Sequence, residues 1–135
     1  MNAFKEADNY PETSVIIAYS HCIAHGYDMS ISLGQQEAAV DSGYWPLFRY
    51  DPRKVAAGES PLKLDSPAPK IDLARFVENE TRFRQVEAAN PEAFKKMMDQ
   101  AQKDVREKYA LYEQLARAMN PATHVPAGPK PKADA

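Results

Sequence analysis

The chain has a single cysteine and only five glycines in 135 residues, and no marked excess of either charge. One cysteine excludes an internal disulfide and the stapled secreted domains that depend on such bonds. None of the glycines falls in a Gly-x-Gly-x-x-Gly, Gly-x-x-x-x-Gly-Lys-Ser/Thr or Gly-x-Ser-x-Gly pattern, so phosphate-cradling loops and nucleophile elbows are not written here. Seventeen Lys and Arg against nineteen Asp and Glu leave a net charge of -2, unlike a basic nucleic-acid binder. No apolar run approaches the roughly 20 residues that cross a bilayer. Met1 to Glu6 lacks the apolar core of a signal peptide. The expectation is a cytoplasmic protein with neither nucleic acid nor membrane as partner.

What is present is ordinary for one soluble domain: 44% hydrophobic and 27% charged residues. Phe4 to Ala7 reads as the end of a short helix, broken at Pro11. Ser14-Val15-Ile16-Ile17-Ala18-Tyr19-Ser20 is β-branched and apolar on consecutive positions, which predicts a strand buried on both faces, as in a parallel sheet. Gly26 allows a turn after it. Leu33, Gln36, Glu37 and Val40 predict a helix from Ser32 to Gly43, with the glycine as its stop. Trp45 to Tyr50 reads as a second strand, and Leu62-Lys63-Leu64 as a short third.

Beyond Pro67-Ala68-Pro69 the pattern is helical, with an apolar stripe through Ile71, Leu73, Phe76, Val77, Phe83 and Val86. Asn90-Pro91-Glu92 is a helix start, since Asn caps free amides and Pro at the first helical position sacrifices no hydrogen bond. Phe94, Met98, Ala101, Val105, Tyr109, Tyr112 and Leu115 continue a packing face to about Ala118. From Asn120 onward Pro, Ala, Gly and Lys predict a disordered tail. The expected division is an α/β part over 1–66, a helical region over 67–119 and the tail over 120–135.

One doubly buried strand needs neighbours on both sides, and this chain offers one more strand and a fragment of another. It therefore reads as the end of a larger α/β protein, or a piece that completes a partner. The alternative is a small helical domain with a β-ribbon.

Cys22 is the position of most chemical interest, just past the C-terminal end of the predicted strand, where ligands collect in open parallel sheets. A thiolate there serves as nucleophile or metal ligand. His21 and His25 flank it, and the three together present zinc-type donors. Set against this is a buried free cysteine, with His25 making backbone bonds near Gly26. Arg49, Arg53 and Lys54 form a small basic cluster, read more simply as a solvated loop. Glu107, Lys108 and Glu113 read as the wet face of the last helix.

Several stretches carry a resemblance. They are Ala3 to Ala7; Val15 to Met29, with Cys22-Ile23-Ala24-His25-Gly26 inside it; Gln35-Gln36; Ala39 to Pro52, with Asp41-Ser42-Gly43-Tyr44-Trp45-Pro46; and Asn79-Glu80-Thr81-Arg82-Phe83. On these the chain, from about Ala3 to Ala118, resembles pyruvate:ferredoxin (flavodoxin) oxidoreductase. The resemblance implies the C-terminal part of the thiamine-diphosphate-binding domain. The expected fold class is thus α/β: a partial thiamine-diphosphate-binding fold with one or two parallel strands, followed by a helical C-terminal region.

The resemblance further implies that Cys22 is the fourth ligand of a [4Fe–4S] cluster close to thiamine diphosphate. The other three cysteines, and the Gly-Asp-Gly motif for thiamine diphosphate and Mg2+, are absent from this chain. The complete enzyme converts pyruvate and coenzyme A to acetyl-CoA and carbon dioxide, with electrons passed to ferredoxin or flavodoxin. The implied partner is the remainder of that oxidoreductase, and the chain alone is expected to be inactive. The resemblance assigns no role to His21 or His25. The rival is a helical adaptor without a redox role.

Overall fold

The computed structural model describes residues 2–120. Helix α1, Asn2–Asp8, precedes an irregular stretch that ends in a 3₁₀ turn at Ile23–His25. A second 3₁₀ turn, Met29–Ile31, leads into α2, Ser32–Asp41. Strand β1, Phe48–Tyr50, is joined to β2, Leu62–Leu64, through the one-turn helix α3, Arg53–Ala56. Helices α4, Leu73–Val77, α5, Thr81–Ala89, and α6, Pro91–Ala118, complete the order. The fold is mostly helical, with one two-stranded sheet among the described residues.

That sheet corrects the expected parallel arrangement. β1 and β2 run antiparallel, with Phe48 opposite Leu64, Arg49 opposite Lys63 and Tyr50 opposite Leu62. Parallel neighbours need a crossover of a dozen or more residues, usually through a full helix. Here the connection holds one short helical turn and Gly58, whose φ of 75° is left-handed. The chain therefore folds back as a ribbon, the arrangement weighed above as the alternative.

The second correction is Ser14–Ser20, which forms no strand. Its backbone makes no hydrogen bond to other backbone among the described residues. Val15 and Ile17 are 79% and 78% exposed. A β-ladder closes only between two segments, and neither open edge of the β1–β2 ribbon pairs with Ser14–Ser20. The tail expected over 120–135 lies, from residue 121, outside the described residues.

The core sits between α2 and the three C-terminal helices. Ala39, Leu73, Phe76, Val77 and Val105 are buried together, with Tyr44, Phe83, Phe94 and Met98 packed around them. The start of α6 is as expected: the Asn90 side chain accepts from the Ala93 amide at 3.0 Å, and Pro91 opens the helix. The stripe along α6 is indeed a packing face. Val105 enters the core, Tyr112 meets Phe48 at 5.2 Å between ring centroids, and the Tyr109 hydroxyl donates to the Ser66 carbonyl at 3.2 Å.

Helix α2 ends where predicted, with Gly43 at φ 76°. A Cβ there would lie 2.6 Å from Pro69 Cγ, so glycine is required by space as well as by conformation. The face it buries differs from the expected one: Ser32, Gln35 and Ala39 point inward, and Leu33 is 84% exposed.

Candidate functional site

Cys22 is exposed, with extended backbone at φ -148° and ψ 140°, immediately before the 3₁₀ turn. The His25 amide donates to the Cys22 carbonyl at 3.0 Å, and the Gly26 amide to the Ile23 carbonyl at 3.0 Å. Gly26, at φ 73°, closes this turn in the left-handed region. The alternative of a buried thiol is thus corrected, whereas the backbone role for His25 is present.

The turn sits against the start of α5. The Thr81 amide donates to the Gly26 carbonyl at 3.2 Å, and the Thr81 hydroxyl donates to the same oxygen. A Cβ on Gly26 would fall 2.6 Å from Thr81 Cβ. This close approach, together with the positive φ, leaves room for no other residue.

Next to Thr81 lies Glu80, fully buried. Burying a carboxylate is unfavourable unless its oxygens are paired, and both are. Oε1 accepts from Gln35 Nε2 at 3.0 Å, and Oε2 accepts from Arg82 Nε at 2.5 Å. Gln35 Nε2 also donates to the Phe76 carbonyl at 2.7 Å, and Asn79 donates to Gln35 Oε1 at 3.2 Å. Arg82 passes a further hydrogen bond to the Tyr19 hydroxyl at 3.0 Å.

Burial acts against the Arg82 charge, but the hydrogen bond and charge of Glu80 outweigh it and hold the guanidinium above its ordinary pKa. Burial, with Glu80 nearby, likewise raises Tyr19, so this phenol stays protonated. The Tyr19 ring lies over His25, centroids 6.0 Å apart and planes 19° apart, and packs on Trp45 at 5.3 Å.

The three zinc-type donors are not brought together. His25 Nδ1 turns toward Glu80 Oε1, 4.0 Å away, and His21 Nδ1 lies 3.5 Å from Gln36 Nε2. Among the described residues no group of three or more His, Cys, Asp or Glu is placed to hold a metal ion. The basic cluster is neutralised. Arg49 makes a two-pronged pair with Asp65 and a further pair with Glu6, Arg53 pairs with Asp51 at 2.8 Å, and Lys54 lies 3.9 Å from Glu59. Arg53 also donates to the Asn9 carbonyl at 3.0 Å, so these residues tie α1 to the ribbon.

Sequence reasoning placed Cys22 and the turn but missed Tyr19, Glu80, Thr81 and Arg82 as its supports. The available signals were the polar break Glu78 to Arg82 in an otherwise apolar stripe and the place of Asn79 to Phe83 among the stretches that carry the resemblance.

No protein-family model matches the chain. A pyruvate-flavodoxin oxidoreductase from Rhodospirillum rubrum is 46% identical over 116 residues, 86% of this chain and 10% of its own length. One from Trichormus variabilis is 47% identical over the same coverage. This chain is homologous to a segment of pyruvate-flavodoxin oxidoreductases. The pyruvate:ferredoxin oxidoreductase of Moorella thermoacetica is 35% identical over 116 residues, again 10% of its length. The chain thus spans about a tenth of the length of the curated relatives it matches. No helix among the described residues is long and apolar enough to cross a membrane.

Proposed function

We propose that this chain forms part of the thiamine-diphosphate-binding domain of a pyruvate:flavodoxin or pyruvate:ferredoxin oxidoreductase, in which Cys22 supplies one ligand to a [4Fe–4S] cluster. The reaction is oxidation of pyruvate with coenzyme A to acetyl-CoA and carbon dioxide. The observation that carries the reading is the 46–47% identity to pyruvate-flavodoxin oxidoreductases over a stretch that includes an exposed, unpaired thiol on a fixed turn.

The donor chemistry fits. A cluster corner takes a thiolate, and the Cys22 side chain is neither in a disulfide nor buried. One cysteine fills one corner, so the remaining ligands belong to the rest of the oxidoreductase, which is the partner of this chain. Bound there, the cluster would supply one-electron transfer, and thiamine diphosphate with Mg2+ elsewhere in the complete enzyme would supply the carbon chemistry. The chain's own tasks are narrower. Cys22 would hold iron, the 3₁₀ turn after it would set its backbone, and exposed Val15 and Ile17 would offer an apolar surface to the partner.

The test is Cys22→Ser in the complete enzyme, read by iron content and low-temperature electron paramagnetic resonance. A hard oxygen donor replaces a soft one, so one cluster should lose iron or change its signal, and electron delivery to ferredoxin should fall. Unchanged cluster signals and an unchanged ferredoxin-linked rate would refute the reading.

A further inference from the structure

Cys22 is held from both sides by three consecutive residues far away in sequence. Tyr19, three positions before it, accepts from Arg82 at 3.0 Å. Gly26, four positions after it, is gripped through its carbonyl by the amide and hydroxyl of Thr81. Glu80 stands between the two grips, fully buried, and fixes them by taking Arg82 on one oxygen and Gln35 on the other. The amide of Glu80 donates to the Val77 carbonyl at 3.1 Å, which fastens the triplet to the end of α4.

Besides these grips, the stretch between Tyr19 and Gly26 has the Tyr19 ring on His25 and Trp45 and the approach of His21 to Gln36, while its turn is open to solvent. Ile23 is 78% exposed, no residue of the 3₁₀ turn is buried, and Ser14–Ser20 belongs to no ladder. A segment this poor in buried apolar contacts moves freely unless polar contacts stop it. These polar contacts are specific: a glycine lacking the Cβ that would strike Thr81, and a buried carboxylate with both oxygens used.

We propose that Glu80, Thr81 and Arg82 form a clamp of positioning residues that sets the backbone carrying Cys22, and so the geometry of its sulfur toward the iron. This rests on the reading of Cys22 as a cluster ligand. Outer contacts of this kind orient a metal ligand, and their loss commonly weakens metal retention by about 10–100-fold. The clamp touches neither iron nor substrate. It acts through Cys22 alone.

The experiment compares Thr81→Val, which keeps shape but removes the hydroxyl, with Thr81→Ser, which keeps the hydroxyl. In the 135-residue chain, nitrogen-15 relaxation reads the Ile23–Gly26 amides. Order parameters near about 0.85 should fall below about 0.6 in Thr81→Val and return in Thr81→Ser. In the complete enzyme, Thr81→Val should release iron from one cluster to a chelator about tenfold faster and alter the resonance signal of that cluster alone. Thr81→Ser should match wild type.

Glu80→Gln, which keeps the contact to Gln35 but lacks the ion pair to Arg82, should act in the same direction. It serves as the probe where Thr81→Val does not assemble. If the order parameters and iron release stay at wild-type values in Thr81→Val or Glu80→Gln, the clamp is refuted. If Thr81→Ser is as impaired as Thr81→Val, restoring the hydroxyl does not restore the turn, which also refutes it. If the order parameters fall while the clusters are unaffected, and Cys22→Ser leaves them unaffected too, the ligand reading fails instead.

Discussion

Val15-Ile16-Ile17 and Leu73 to Val77 are both apolar stretches, yet they meet opposite fates. Val15 and Ile17 stand in solvent, whereas Phe76 is fully buried and Leu73 is 3% exposed. The difference lies in where each segment finds its hydrogen bonds. A helix closes its own backbone bonds within each turn and needs only a surface for one face. A strand must hand its bonds to a neighbour. The α4–α6 region therefore completes itself inside this chain, against α2, whereas Ser14–Ser20 keeps its apolar side chains exposed. Exposed apolar stretches of that kind commonly mark an interface, which agrees with a chain homologous to a tenth of much longer enzymes.

The largest effect that sharpens this contrast is cavity formation. Phe76→Ala removes a ring that packs on Tyr44 at 4.5 Å and Phe83 at 6.1 Å between centroids. It should destabilise the chain by about 3–5 kcal/mol, the usual penalty for a fully buried phenylalanine. Val15→Ala should change stability by less than about 0.5 kcal/mol, as exposed substitutions do. Urea denaturation followed by helical circular dichroism reads both. Equal destabilisation by the two would show that Val15 is packed in solution and would break the comparison.

The next effect is smaller and local. Asn90→Ala removes the acceptor of the Ala93 amide at the start of α6. The expected loss is about 1 kcal/mol, seen as an earlier urea midpoint with an unchanged slope. Asn90→Asp should retain most of the stability, since it keeps the acceptor. A neutral Asn90→Ala would mean that α6 is held by its packing alone, and that the local signal is incidental.

That helix was legible in the sequence because its signals are local: Asn90 and Pro91 at the start, and apolar residues three and four apart along one face. The stop of α2 at Gly43 was legible for the same reason. Ser14–Ser20 was misread because β-branched residues report a preference for a pleated, buried surface, and that preference is met only if a neighbour exists. The break between α4 and α5 was missed as well. Ile71 to Val86 reads as one stripe, yet Glu80 turns to extended backbone at φ -102° and ψ 117° and buries its carboxylate on Gln35. A partner 45 residues away leaves no periodic trace. The candidate site divides in the same way. Cys22 and Gly26 were visible as residue types beside a turn, while their supports at 80–82 come from a different part of the chain.

The smallest effect concerns how α1 is joined to the ribbon, since this end of the chain has ion pairs where the C-terminal helices have a core. Arg49 pairs with Asp65 through Nε at 2.5 Å and a second nitrogen at 2.7 Å, and also with Glu6. The Arg49 hydrogen bonds hold the Asp65 carboxyl below the ordinary carboxylate pKa despite the opposing effect of partial burial. A depressed folded pKa means that the unfolded chain binds the proton first. The stabilisation is therefore complete above the unfolded value of about 3.9 and fades as pH falls through the lower folded value. Partly exposed pairs contribute little, here under about 1 kcal/mol. Asp65→Asn should flatten the loss of stability between about pH 5 and pH 2 relative to wild type, while leaving the effect of Phe76→Ala at neutral pH intact because the two sites share no partner. The measurement is the urea midpoint as a function of pH for both chains. Superimposable curves would show that the Arg49–Asp65 pair adds nothing, leaving Arg49–Glu6 and the Arg53 contact to Asn9 as what joins α1 to the ribbon.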